Sequence, residues 1–388
     1  MKKFFMFAAM ASVALVSCVK NEAGMGLAGS NDKVAISFEA PILAPSVKSV
    51  QEIVQFPVDK TFQVWAYYTQ GNFAGTAVAT NEYMNDVQIK YWERNSGDGS
   101  KWTASDLYYW PNSGYLTFLG YSGTVTSPDV VDTGLKFGYT VNAKADEDLL
   151  VSQVNYDVQR PASPSVHDQT NYTGQVQVLF EHALSSLVFK VKSGVYQSNP
   201  GGVNTDLAVT KIEIIGVNNT GSFSQGFSTW TTGMQMVKPA VAANAATETD
   251  GWDDNTSGEA TYTAFTTSAG VEHIVLTDQP QLMHDITAAS ADYSLSNLIV
   301  LPQTIPAEAT LKITYDFRND SMAPDTWITG NTATAKLSTD YVEKWMRGYR
   351  YTYNVTLTLD EITFDPEVSA WVDYAPVDPD NDHVADYL

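Results

Sequence analysis

Along most of this chain, apolar and polar residues alternate with a period of two in short runs separated by turn-forming clusters. Val34–Phe38 alternates apolar and small residues, and Phe62–Tyr67 does the same with larger side chains. Leu116–Tyr121, Val176–Phe180, Leu187–Val191, Ile212–Ile215, Leu298–Leu301 and Leu311–Phe317 follow, and Tyr351–Leu359 closes the series with strict alternation. Side chains of a strand point to opposite faces in turn, so each run predicts a strand with one face turned to a core. Runs at this spacing, with turn residues between them, predict an all-β chain built as sandwiches. One stretch breaks the pattern: Ser338–Arg347 has helical spacing, a serine able to cap its start and Gly348 to stop it, so a short helix is expected there. Residues 161–174 carry two prolines and few aliphatics, which suits a linker between two sandwiches. At 388 residues the chain exceeds the size at which one core keeps growing, which also favours two domains.

The first residues carry a different signal. Lys2 and Lys3 precede an apolar stretch, Phe4–Val16, and Leu15-Val16-Ser17-Cys18 follows at once. That order describes a secretory signal peptide, and the stretch is too short for a spanning helix, which needs about 20 residues. Leu15–Cys18 resembles the lipobox of bacterial lipoproteins, and the resemblance implies lipid on Cys18 and removal of residues 1–17. An ordinary signal peptide beside a chance cysteine is the alternative. Cys18 is the one cysteine of the chain, so no internal disulfide can form and the fold must rest on its cores. Residues 18–32 are polar and glycine-rich and read as a tether. The net charge of −22 repels phosphate backbones, which argues against nucleic acid as a partner. Aromatics make up 12% of residues and charged residues 17%, a balance that suits sheets better than exposed helices.

Four blocks, in order, resemble the fimbrillin family of Bacteroidales lipoproteins. They are Tyr108–Phe118 (YYWPNSGYLTF), Phe180–Leu187 (FEHALSSL), Leu301-Pro302-Gln303, and Trp345–Tyr353 followed by Ile362–Phe364 and Trp371. The resemblance implies two transthyretin-like β-sandwich domains, here 33–160 and 175–388, behind a lipoprotein signal peptide. It implies a stalk, tip or anchor subunit of a type V pilus at the outer membrane and cell surface, with other pilin subunits as partners. It also implies assembly by proteolysis in the loop after the first strand, followed by strand exchange. That loop, 41–51, holds a single basic residue, Lys48, with Lys33 and Lys60 as alternatives; the family usually has arginine at the cut. Ile362–Trp371 is apolar enough to serve as a donor strand. Each block also has a plain structural reading. Pro111 cannot donate in a ladder, Gly114 permits a turn, Pro302 ends a strand, and His182 between Phe180 and Leu184 reads as a hydrogen-bonded packing histidine.

Candidate chemistry is sparse. There is no Gly-x-Ser-x-Gly elbow and no His-Glu-x-x-His helix, and the five histidines lack metal-ligand spacing, so neither catalysis nor a cofactor is expected. Asp378–Asp382 alternates carboxylates like the start of a calcium loop, but His383 stands where the glycine belongs. Asp250, Asp253 and Asp254 are merely clustered, and solvated loops explain both sets. Trp92, Trp102, Trp230, Trp252 and Trp327 lie near turn-rich sequence. If exposed they would stack on sugars, giving a second reading: a monomeric surface lipoprotein binding host or bacterial glycans.

Overall fold

Alternation becomes strand wherever the apolar face finds a facing sheet. The computed structural model describes residues 34–43, 53–73, 81–92, 101–131, 134–141, 147–160, 175–196, 205–226, 251–253, 257–267, 273–283, 298–319, 326–339 and 342–370. In chain order the first strands are β1 (Ser37–Glu39), β2 (Pro41–Leu43), β3 (Ile53–Gln55), β4 (Phe62–Thr69), β5 (Glu82–Trp92), β6 (Lys101–Ala104) and β7 (Tyr115–Ser122). Next come β8 (Thr126–Val131), β9 (Gly134–Thr140), β10 (Leu150–Ser152), β11 (Asn155–Val158), β12 (Gln175–Gln177) and β13 (Phe180–His182). The chain continues through β14 (Ser185–Ser193), β15 (Thr205–Gly226), β16 (Ser257–Thr266), β17 (Gln281–Leu282) and β18 (Leu298–Val300). The last are β19 (Gln303–Thr304), β20 (Thr310–Asn319), β21 (Ile328–Lys336), β22 (Lys344–Trp345), β23 (Tyr349–Leu357) and β24 (Ile362–Ala370).

The first sheet curls into a closed circuit. β1 and β2 form one run interrupted at Ala40, and β12 and β13 form another, parallel to it. From β1 the pairing passes antiparallel through β6, β5, β4, β7 and β10, and returns to β13. Closure removes the sheet edges that would otherwise pair with other chains. β3 adds to β2 and β11 to β7. Inside the ring lies a core that includes Phe38, Phe62, Met84, Trp102, Phe118 and Phe180.

Two further sheets face each other over a larger core. One holds β17, β14, β23 and β24 with β18; the other holds β21, β20, β15, β9 and β8 with β16. β14 and β23 run parallel over eight paired positions, and the 22-residue β15 bonds in turn to β20, β16 and β9. Gln303 is buried between them, accepting from the Asn218 N–H and donating to its carbonyl, both at 2.9 Å. One side chain thus satisfies both backbone groups of a strand residue.

Strand pairing crosses the expected boundary in both directions. Residues 161–174 lie outside those described, yet β8 and β9, before them, belong to the sheet of β15, and β12 and β13, after them, complete the first ring. The larger core likewise contains Trp65, Tyr67, Leu119 and Tyr121 beside Leu187, Ile212 and Tyr353. β4 explains this locally: Val64 and Ala66 face the ring core while Trp65 and Tyr67 face the second core, all 3% exposed or less. A strand buried on both faces reads as a continuous apolar run.

Among the described residues of Ser338–Arg347 (338–339 and 342–347), the expected helix does not form. Val342, Trp345 and Met346 have helical spacing, but β22 pairs with β19, and Trp345 is fully buried with its Nε1 donating to the Tyr353 hydroxyl at 2.9 Å. Met346 N donates to the Tyr351 hydroxyl and its carbonyl accepts from Ser185 Oγ, each at 2.8 Å. Side chains of the neighbouring sheet take the backbone groups that a helix would have paired internally, and so short a helix has little propagation to offset its nucleation cost.

Candidate functional site

The residues of interest converge on the first strand and its seat in the ring. Ile36, Phe38, Ala40 and Ile42 all point inward, at 2%, 1%, 7% and 3% exposure, so the alternation expected from Val34 continues through Ile42. Phe38 meets Phe62 and Phe118 edge-on at centroid distances of 6.1 and 5.8 Å. Phe56, Phe62, Trp102 and Phe180 complete an aromatic wall, with neighbouring centroids 5.2–5.5 Å apart. Such contacts favour edge-to-face geometry because ring edges are positive and ring faces negative. Burying the three large side chains contributes of order 5–9 kcal/mol, at roughly 1.5–3 kcal/mol apiece.

Backbone bonds hold the strand on both flanks. Ile36 N donates to the Tyr108 carbonyl at 2.8 Å, and Trp110 N to the Val34 carbonyl at 2.9 Å. Phe56 N donates to the Ala40 carbonyl at 3.1 Å, and Val178 N to the Glu39 carbonyl at 2.7 Å. Glu39 lies on the strand's outer face; partial burial raises its carboxyl above the ordinary value, and a hydrogen bond with Gln177 works the other way. The turn after Trp110 needs a glycine: Gly114 has φ +82°, and a Cβ there would meet the Thr69 carbonyl and the Tyr68 ring at 2.5 and 2.6 Å.

The end of the parallel partner is anchored as firmly. His182 is 1% exposed and its Nδ1 lies 2.7 Å from Asp148 Oδ2, so it is the packing histidine its apolar neighbours suggested. Glu181 binds Arg347 Nη2 at 3.3 Å and accepts from Gln153 Nε2 at 2.8 Å. Trp252 Nε1 donates to the Ala183 carbonyl at 2.7 Å.

Cys18, Lys33 and Lys48 lie outside the described residues, as do Asp250, Asp254, Asp378–Asp382, Trp230 and Trp371. Lys60 is exposed, its N–H donating to the Pro57 carbonyl. Because β3 precedes it, a cut after Lys60 would detach β3 together with the first strand. The tryptophans divide. Trp102 and Trp252 are core, at 8% and 4% exposure, and His273 stacks on Trp327 at 4.1 Å with Arg318 5.0 Å from the same ring. Trp92, at 46%, is the exposed one among those described. A cleft of about 630 Å³ lies over Phe137, Phe223 and Trp252, but those rings turn into the core and leave Lys136, Ser222 and Asp253 at its rim. No group of three or more His, Cys, Asp or Glu placed to hold a metal ion occurs among the described residues.

The expected donor segment is accounted for within its own subunit. β24 pairs with β23 over nine positions, Tyr349↔Ala370 through Leu357↔Ile362, and Phe364 packs edge-on against Tyr353 at 5.3 Å.

Three comparisons bear on this arrangement. A family model described as fimbrillin-like matches residues 54–371. No curated protein matches the chain. Among solved structures, the fold is similar to a fimbrial protein from Bacteroides vulgatus, at 17% identity and a TM-score of 0.50, covering 87% of this chain and 99% of that one. It is also similar to a candidate cell adhesion protein from Bacteroides uniformis, at 14% identity and TM-score 0.44, covering 89% and 100% of the two chains. Another from Bacteroides ovatus gives 15% and 0.43, covering 88% and 98%.

Proposed function

The chain belongs to the fimbrillin-like family, and from that premise we propose that it is a structural subunit of a surface pilus, exported as a lipoprotein and polymerised by strand exchange at the first strand. The observation that carries this reading is the seat just described. A strand that leaves it uncovers an apolar, aromatic-lined groove and unpairs the ladder groups of β6 and β12. Another strand would enter by β-augmentation, its main chain taking the ladder bonds and its alternate side chains filling the vacated positions.

The groove favours an occupant of one pattern. It has room for a branched side chain at the place of Ile36, an aromatic at Phe38, a small residue at Ala40 and a branched one at Ile42. The run Ile36-Ser37-Phe38-Glu39-Ala40-Pro41-Ile42 has a close parallel in Ile362-Thr363-Phe364-Asp365-Pro366-Glu367-Val368. A segment of that pattern from a neighbouring subunit would meet the ring at the same positions. β24 must leave its own ladder to donate, so a subunit that keeps β24 in place accepts without donating, which suits the tip of a fibre.

Two experiments test the reading. Trypsin added to the purified precursor should cut after Lys48 and produce an SDS-resistant ladder of oligomers. Unchanged surface fibres with an unchanged N-terminus in Lys48→Ala would remove that residue as the processing site. Cys18→Ala should abolish labelling of the precursor by radioactive palmitate and its retention in the membrane fraction. Undiminished labelling would refute lipidation there.

A further inference from the structure

We propose that the parallel pair formed by the first strand and the run Gln175–His182 is a tension-bearing joint, built so that a pull along the molecule loads its ladder in shear. The first strand enters the ring at its Val34 end. The partner run leaves the ring at its His182 end, directly into Ala183, Leu184 and β14. The strands are parallel, in the register Ser37↔Gln175 through Glu39↔Gln177 and Phe180↔Ile42 through Glu181↔Leu43. A load entering at residue 34 and leaving through the C-terminal sheets therefore acts on opposite ends of the pair. All five paired positions resist together, and the bond from Val178 N to the Glu39 carbonyl bridges the interruption between them. For the strand to slide, Ile36, Phe38, Ala40 and Ile42 must leave the core at once. An antiparallel partner leaving the ring would bring the two loaded ends together, and its bonds would open one at a time.

The exit from the joint is braced on several sides. Ala183 N donates to the Leu149 carbonyl at 2.7 Å, and the Ala183 carbonyl accepts from Trp252 Nε1 at the same distance. Gly348 N donates to the Leu184 carbonyl at 2.7 Å, and Arg347 holds Glu181. Load passing His182 is thus shared at once with Leu149 just before β10, with the turn that leads into β23, and with the Trp252 side chain. The joint exists in the single subunit. Its place in a fibre rests on the strand-exchange reading, under which an incoming strand of the same polarity would be loaded in the same way.

Single-molecule force spectroscopy on the full mature chain, made without lipid so that Cys18 offers its thiol, tests this. In one geometry the handles sit at Cys18 and at Glu308→Cys, an exposed turn position just before β20. In the other they sit at Cys18 and Arg160→Cys; the Arg160 side chain bonds Asn112 at 2.9 Å, near the end where the first strand begins, so the pull peels the strand. The ring-opening step, identified by its contour length, should require several-fold more force in the first geometry. Equal or lower force there overturns the joint. Polymerisation without this directional resistance would leave the proposed function standing and refute the joint. Directional resistance in a chain that never polymerises would do the reverse.

Discussion

Phe38→Ala should destabilise the subunit by about 3–5 kcal/mol, the range for removing a fully buried phenylalanine, because the ring leaves a hole among Phe62, Phe118 and the rest of the wall. Denaturant unfolding should show a lower midpoint at unchanged slope, since the surface exposed on unfolding stays the same. Glu39→Gln, one residue on and facing outward, is the internal control. It keeps the backbone ladder and should fall within about 0.5 kcal/mol of the parent. A cost below about 1 kcal/mol for Phe38→Ala would mean that the strand contributes little to the ring core. The groove then could not select an occupant by its apolar pattern. The same substitution tests function: a strand that leaves its seat more easily should be released faster after proteolysis, and oligomer ladders should appear sooner.

Much of this site was legible because the relevant residues alternate. Val34–Phe38 reads as a strand with Ile36 and Phe38 on one face whatever it packs against, and His182 between apolar neighbours reads as buried. Several strands were hidden for physical reasons. In β5 a bulge around Asp86 breaks the alternation between Met84 and Ile89, and charged and polar residues such as Glu82, Asp86 and Lys90 at its exposed positions dilute the signal further. β21 (ITGNTATAK) is an edge strand whose exposed face needs no large apolar side chain, and β8 contains a proline. Proline content at the expected domain boundary says too little, because it reports where the chain can turn, not which sheet it joins next. Only pairing shows that β12 and β13 return to the first ring. Trp345 misled in the opposite sense: three apolar residues at helical spacing were three separate core contacts.

Alkaline pH should unfold this protein steeply, beginning above about pH 10, where ordinary tyrosines ionise. Tyr67, Tyr121, Tyr139, Tyr262 and Tyr353 are each 5% exposed or less. Burial is the first cause that raises all five hydroxyls above the ordinary value; Glu82 and Asp129 add to it at Tyr67, Asp86 at Tyr121, and Glu147 and Asp148 at Tyr139. Tyr156 is pushed up to about 12 by burial and by Asp157. The sign follows from proton counts. Above the unfolded value the unfolded chain has lost these protons while the folded chain still holds them, so stability falls as pH rises. It is whole below the unfolded value and is lost progressively as pH climbs toward the folded ones. Each fully buried tyrosine can contribute up to about 1.4 kcal/mol per pH unit across that window. Tyr262→Phe separates this from general base denaturation. Its hydroxyl is buried and finds no partner among the described residues, so removing it should leave stability at neutral pH unchanged or higher. The alkaline slope should become shallower by one tyrosine's share. Melting curves taken across the alkaline range, with tyrosinate absorbance followed in the same cuvette, should show ionisation arriving together with unfolding. Ionisation of these tyrosines at the ordinary value with the fold intact would mean that water reaches them, and the two cores would then be looser than their burial implies.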